Sequence, residues 1–184
     1  MKVGFLQTNC YILSNDRSEA VIIDPGSDSR KIINYLNEHT HIPKAILITH
    51  THFDHVGAIE DIMATASMNL YISAKATNNR YKEYAIAIDE GDTIVEAEME
   101  FLVLATPGHS KDSVCFLYED YLFTGDTLFH MSVGRTDFEG GDIEDQKRSL
   151  KRIKELGNKE LKILAGHMEE TTLSYEIEHN TFLR

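Results

Sequence analysis

The sequence predicts an α/β (α+β) domain in which β-sheets are covered by helices. Three observations carry this. Short runs rich in β-branched and aromatic residues recur along the chain, bounded by turn formers. Amphipathic stretches at helical spacing lie among the later runs. No Pro/Gly/Ser linker or low-complexity segment divides the 184 residues, so one domain over 1–184 is expected.

Taken in order, the N-terminal MKVGFLQTNCYIL reads as a strand. It has no small-residue cleavage site, so a signal peptide is not expected. CYILS and AVIID are strands joined by the polar turn SNDRSE, which opens the first sheet in antiparallel fashion. Residues 29–38 predict a helix with Ile32, Ile33 and Leu36 on one face, and AILIT follows as a strand. Residues 57–66 predict a second helix, burying Ile59, Ile62 and Met63. LYIS, TIVEA, EFLVLAT, SVCFLY and YLFTG read as successive strands. The clearest helix covers 143–156, with Ile143, Leu150, Ile153 and Leu156 inward. Asp142 suits its N-cap, acids fill its first turn, and Gly157 can end it. KILAG is the last strand.

Composition excludes several classes. No apolar run approaches the roughly 20 residues that span a bilayer, so no membrane segment is expected and the location is expected to be cytoplasmic. A formal net charge of −12 disfavours nucleic-acid partners and mainly serves solubility. Cys10 and Cys115 lie in apolar, strand-like runs and are expected to be buried thiols rather than a disulfide.

The chemistry lies where strands end. AILIT runs into His50, EFLVLATPG into His109, YLFTG into Asp126 and KILAG into His167. Strand ends on a rigid sheet hold converging side chains in place. The first of these sites, THTHFDHVG, packs His50, His52, Asp54 and His55 into six residues. In an extended segment His50 and His52 point the same way and can reach one ion; a turn after them lets Asp54 and His55 face a second. Imidazole and carboxylate ligands suit zinc, iron or manganese. From this composition, HxHxDH arises by chance in roughly one such chain in a thousand.

THTHFDH, TPGHS, GDTLF and the late GH resemble the metallo-β-lactamase superfamily. The segment LFHMSVGRTDFEGGD and the tail HNTFLR look like the small glyoxalase II-like hydrolases, which cleave hydroxyacylglutathione thioesters. The resemblance covers essentially the whole chain. It implies a four-layer αββα sandwich with two divalent metal ions, zinc foremost, at one edge of the two sheets. It implies that His50, His52 and His109 bind one metal, that Asp54, His55 and His167 bind the other, and that Asp126 bridges them. The family usually has glycine where this chain has Asp112, and often glycine where it has Met168. Full-length glyoxalase II enzymes also carry a C-terminal helical domain that helps hold glutathione, and it is not expected here.

Two nearby cations make a bridging water acidic enough to supply hydroxide at neutral pH, while one polarises a carbonyl. The expected activity is therefore hydrolysis of a small-molecule thioester such as S-lactoylglutathione, with Asp54 and Asp126 in catalytic roles. The other readings are a persulfide dioxygenase with a single iron on two histidines and one aspartate, a lactone or ester hydrolase, and a binding module without metal. A β-lactamase is disfavoured by the expected cytoplasmic location. Oligomeric state is left open.

Other residues are secondary. Asp24 is either a turn residue before Pro25 or an acceptor for a ligand histidine's free N–H. Arg135 and Asp137 are expected to form a structural ion pair, His130 to face solvent, His39 and His41 to be incidental, and His179 to be structural. Tyr71, Tyr81 and Tyr84 are expected to pack rather than line a substrate path.

Overall fold

A computed structural model describes residues 1–77, 79–81 and 83–184. Two sheets lie face to face. The first has five strands in chain order: Tyr11–Ser14, Glu19–Ile23, Ile42–Leu47, Asn69–Ser73 and Ile86–Ile88. Its first pair is antiparallel and the others are parallel. The second runs Thr171–Thr172, Lys162–Ala165, Tyr121–Gly125, Val114–Tyr118, Met99–Ala105, Thr93–Glu96. All its pairs are antiparallel except Tyr121–Gly125 with Lys162–Ala165.

The period-2 alternation of buried strands explains the layers. In Glu19–Ile23, Val21 and Ile23 pack into the core between the sheets with Phe101, Val103, Phe116 and Phe123. Their neighbours Ala20 and Ile22 face the other way, against Ile32 and Leu36 of helix Ser29–Glu38 and Ile59 and Ile62 of helix Ile59–Met63. On the far side Cys115, Leu122 and Ile163 pack under Leu150 and Ile153 of helix Ile143–Lys154 and Leu173 of helix Leu173–His179. Each fully buried aliphatic or aromatic side chain contributes about 1.5–3 kcal/mol. The result is the αββα sandwich. No helix among the described residues is long and apolar enough to cross a membrane. Both cysteines are buried and unpaired, and burial pushes each thiol up to about 12.

Several local expectations are corrected. The N-terminal stretch is not one strand: Lys2–Val3 and Thr8–Asn9 pair as a hairpin, and Tyr11–Ser14 joins the first sheet separately. The helix expected over 57–66 shortens to Ile59–Met63, preceded by a separate turn of helix at Phe53–Val56. Asp142 does cap its helix, accepting from the amides of Glu144 and Asp145 at 2.8 and 2.9 Å. The helix buries Gln146, Ser149, Leu150 and Ile153, while Ile143 is 52% exposed because the first turn faces outward. It ends at Lys154, ahead of Gly157. The short strand Ile86–Ile88, the pair Leu128–Phe129 with Ser132–Val133, and helix Leu173–His179 carried too little periodicity to be predicted.

Candidate metal centre

The loops after Ile42–Leu47, Met99–Ala105, Tyr121–Gly125 and Lys162–Ala165 converge on one cleft at the sheet edges. Candidate ligand atoms form three groups, each with all atoms within 4.8 Å of one another: His50, His52 and His109; His50, His55 and Asp126; Asp54, His55 and His167. The seven residues singled out in the sequence are thus brought together. Asp126 faces both sides. Its Oδ1 lies 3.4 Å from His55 Nε2, and its Oδ2 lies 3.5 Å from both His109 Nε2 and His167 Nε2. Asp54 Oδ2 accepts from Thr8 Oγ1 at 2.9 Å and lies 3.2 Å from His167 Nε2.

Proton positions follow from the partners behind the cluster. His109 Nδ1 donates to the Arg135 carbonyl at 2.7 Å, so Nε2 of its neutral ring carries the lone pair. That lone pair points at His52 Nδ1, 2.9 Å away. His55 Nδ1 donates to Asp24 Oδ2 at 3.0 Å, which turns its Nε2 inward. The hydroxyl of Thr49 donates to Asp24 Oδ2 at 2.7 Å and receives His50 Nδ1 at 3.2 Å, so His50 Nε2 also faces the cleft. His50 Nε2, His55 Nε2 and Asp126 Oδ1 are buried without a hydrogen-bond partner. Burying unpaired polar atoms is costly, and cations among them satisfy all three. The donor set therefore fits divalent metal ions.

The two halves differ in charge. Burial, then the neighbouring imidazoles of His55 and His109, hold His50 well below the usual histidine value. Burial and His109 lower His52 as well. Burial also opposes charge on His55, but the carboxylates of Asp126 and Asp24 outweigh it and raise His55 well above its ordinary value. His167 is raised likewise, Asp54 and Asp126 outweighing burial. Burial favours the neutral acids, yet His167 and His55 hold Asp54 low, and His55 and His167 hold Asp126 low.

Of the secondary residues, Asp24 faces the site rather than serving only as a turn. It sits in the left-handed region (φ 51°), buried, and its Oδ1 accepts from the Thr49 amide at 2.8 Å. Asp112 accepts from the amide and hydroxyl of Thr51 at 2.9 and 2.6 Å, which fixes the residue between His50 and His52. Met168 also has a positive φ (69°), the region that favours the glycine other family members often have there. At Gly166 a Cβ would fall 2.4 Å from Asp126 Oδ1 and 2.7 Å from the His55 ring, so only glycine lets the chain pass.

Arg135 and Asp137 pair through two bonds of 2.6 Å. His130 is half-buried rather than solvent-facing: it lies 3.3 Å from the buried Glu176 carboxylate and stacks on Tyr175. His39 stacks on Tyr35 and on His41, and His179 packs on Tyr175, all on rings outside the cluster. Tyr71 donates to Glu96, and Tyr81 packs in the core with Tyr84 on its edge. The sequence reading missed Thr8 and Glu176, single polar residues with no motif around them, and the roles of Thr49 and Thr51, which lie inside the THTHFDH segment but stand out there less than the histidines. A cavity of about 460 Å³ lined by Tyr35, Met99, Tyr118, Tyr121 and Phe123 has no histidine or carboxylate in its walls.

A sandwich of two sheets with clustered imidazoles and carboxylates at one edge defines a class, the metal-binding hydrolases. The chain belongs to the metallo-beta-lactamase superfamily, whose profile matches residues 3–167. It is 32% identical over 203 residues to the probable metallo-hydrolase YqgX of Bacillus subtilis, covering 100% of this chain and 95% of that one. It is 31% identical over 184 residues to the hydroxyacylglutathione hydrolase of Salmonella arizonae, covering 98% of this chain and 71% of that one. Among the similar crystal structures are two of high coverage. BLEG-1 B3 metallo-beta-lactamase superposes with a TM-score of 0.89 at 36% identity, covering 99% of this chain and 97% of that one. TTHA1623 in a di-iron-bound form superposes with a TM-score of 0.87 at 33% identity, covering 100% and 98%.

Proposed function

We propose that the protein is a binuclear metal-dependent hydrolase of thioesters, with S-lactoylglutathione as the reference substrate. The convergence of seven ligand-type side chains, three of whose buried atoms lack partners, carries this reading. His50, His52 and His109 would hold one divalent ion and Asp54, His55 and His167 the other, with Asp126 placed to serve both. Zinc suits this donor set, and the di-iron form of TTHA1623 makes iron the alternative. Such ions supply Lewis acidity, which acidifies water and polarises a carbonyl.

The chain's own residues do the rest. Asp54, fixed by Thr8, keeps a carboxylate oxygen free to orient the attacking water. His109 and His52 bring imidazole nitrogens toward the first position, with the His109 ring fixed from behind by the Arg135 carbonyl. The depressed pKa values of Asp54 and Asp126 keep both carboxylates ionised throughout the neutral range. With an activated water as nucleophile no serine or cysteine is needed, and both cysteines are buried.

The test is thiol release from S-lactoylglutathione by protein of measured metal content. Hydrolysis that follows metal content supports the reading; no release by fully loaded protein defeats it. The 36% identity to BLEG-1 favours β-lactam hydrolysis as the second reading. A chromogenic cephalosporin assayed on the same preparation separates the two.

A further inference from the structure

Exposed apolar side chains stand on or against the segments that carry the candidate ligands, and few basic ones do. Phe53 lies between His52 and Asp54 in sequence and is 66% exposed. Phe5 is 83% exposed, and its ring lies against that of Phe53, centroids 6.3 Å apart and 20° from parallel. Phe138, 49% exposed, meets the His52 ring edge-on at 6.2 Å, with the Arg135 guanidinium over its ring, 3.9 Å from the centroid. Met168, next to His167, is 47% exposed.

These groups are held, not loose. The hairpin carrying Phe5 is tied by the Gly4 amide to Asp28 at 2.9 Å and by Thr8 to the ligand Asp54. The Met168 carbonyl is held by Asn9 at 3.0 Å. An aromatic ring kept in water on an anchored turn loses burial that any other fold of the loop would offer, so its exposure needs a reason. Contiguous apolar side chains around clustered polar atoms are the usual form of a small-molecule site.

Charge points the same way. The ligand-bearing loops 49–57, 106–113, 126–142 and 166–170 carry only two Lys or Arg residues, Lys111 and Arg135. Arg135 is occupied by Asp137 through two hydrogen bonds. The same loops carry Asp112, Asp137, Glu139, Asp142, Glu169 and Glu170 besides the ligands. A thiol bearing carboxylates or phosphates finds few cations there and meets repulsion.

We infer that Phe5, Phe53, Phe138 and Met168 form the binding rim for an uncharged, apolar group of the substrate, so that the preferred thioesters are those of apolar thiols rather than of glutathione. This rests on the hydrolase reading above. The rim residues bind substrate and take no part in bond breaking; water adds to the carbonyl, the C–S bond breaks, and the thiol leaves with the proton.

The experiment compares two lactoyl thioesters, of glutathione and of benzyl mercaptan, on protein of measured metal content. The acyl carbon is the same and the leaving thiols are of similar basicity. The expected kcat/KM is about tenfold or more higher for the benzyl thioester, and Phe5→Ser or Phe138→Ser at unchanged metal content lowers the ratio of the two by about tenfold. Calorimetric binding of the unhydrolysable benzyl thioether should weaken by a similar factor in both variants. A ratio that favours glutathione, or that neither variant moves, overturns the rim while leaving the hydrolase reading intact. If neither thioester is cleaved yet thioether binding still depends on Phe5 and Phe138, the rim stands and the hydrolase reading falls.

Discussion

Asp24 Oδ2 accepts from His55 Nδ1 at 3.0 Å, and through Thr49 the same oxygen orients His50. One buried carboxylate thus sets the tautomer of a histidine in each half of the site. The outer partner of a metal-binding histidine typically governs affinity by about 10–100-fold. Asp24→Ala is therefore expected to weaken metal binding by about that factor, read by competition with a chromophoric chelator. Unchanged affinity would reduce Asp24 to a turn residue.

The two halves should respond differently to pH. His50 and His52 have lowered pKa values and stand neutral, ready for metal, near pH 7. His55 and His167 have raised values, so protons compete with metal at Asp54, His55 and His167. Affinity there should climb as pH rises toward those raised values, with protons released, while His50 and His52 should add little pH dependence near pH 7. Metal-free protein should show the opposite slope. Stability from protonated His55 is fully present below the unfolded value of about 6.5 and is lost as pH rises through the raised folded value. Calorimetric titrations in buffers of different ionisation enthalpy count the protons. Equal pH dependence at both positions would contradict the charge asymmetry.

Gly166→Ala is expected to cost metal rather than fold. The added methyl would press on Asp126 Oδ1 and the His55 ring, both at the cleft. Most activity should be lost together with metal content, while the melting temperature of the metal-free form falls by only a few degrees. Full metal occupancy in this variant would show that the close approach is unimportant.

Glu176 links the C-terminal helix to the metal site. It is buried and accepts from the Met131 amide at 2.9 Å and from Asn180 at 2.8 Å, and Asn180 also holds the Ser132 carbonyl at 3.1 Å. That segment leads to Arg135, whose carbonyl fixes His109. Glu176→Ala leaves buried donors unpaired, at about 1–3 kcal/mol. It is expected to weaken metal at the His109 side more than at the His167 side, visible in cobalt(II) absorption spectra, and Glu176→Gln should rescue part of the loss. Equal weakening on both sides would make the role purely structural.

How much of this is legible in sequence depends on how local each signal is. His50, His52, Asp54 and His55 announce themselves because four ligand types fall within six residues. His109, Asp126 and His167 are readable because each ends an apolar run, a pattern that the parallel and antiparallel pairings turn into one edge. Thr49, Thr51 and Glu176 are not readable, since a single polar residue gains its partner only through tertiary contact. The same limit hides the N-terminal hairpin, whose two-residue strands form through pairing and through tertiary contacts such as Gly4 to Asp28 and Thr8 to Asp54. Ile143 misleads for a different reason: the Asp142 cap sets the helix start so that its first turn faces water.

The measurement that bears most directly on the account is the metal content of chelator-treated, reconstituted and dialysed protein, by inductively coupled plasma mass spectrometry. Two divalent ions per chain are expected in the wild type, with a clear loss in Asp126→Ala that parallels the loss of thioester hydrolysis. Substoichiometric metal in the wild type, or hydrolysis undiminished in metal-free protein, would contradict it.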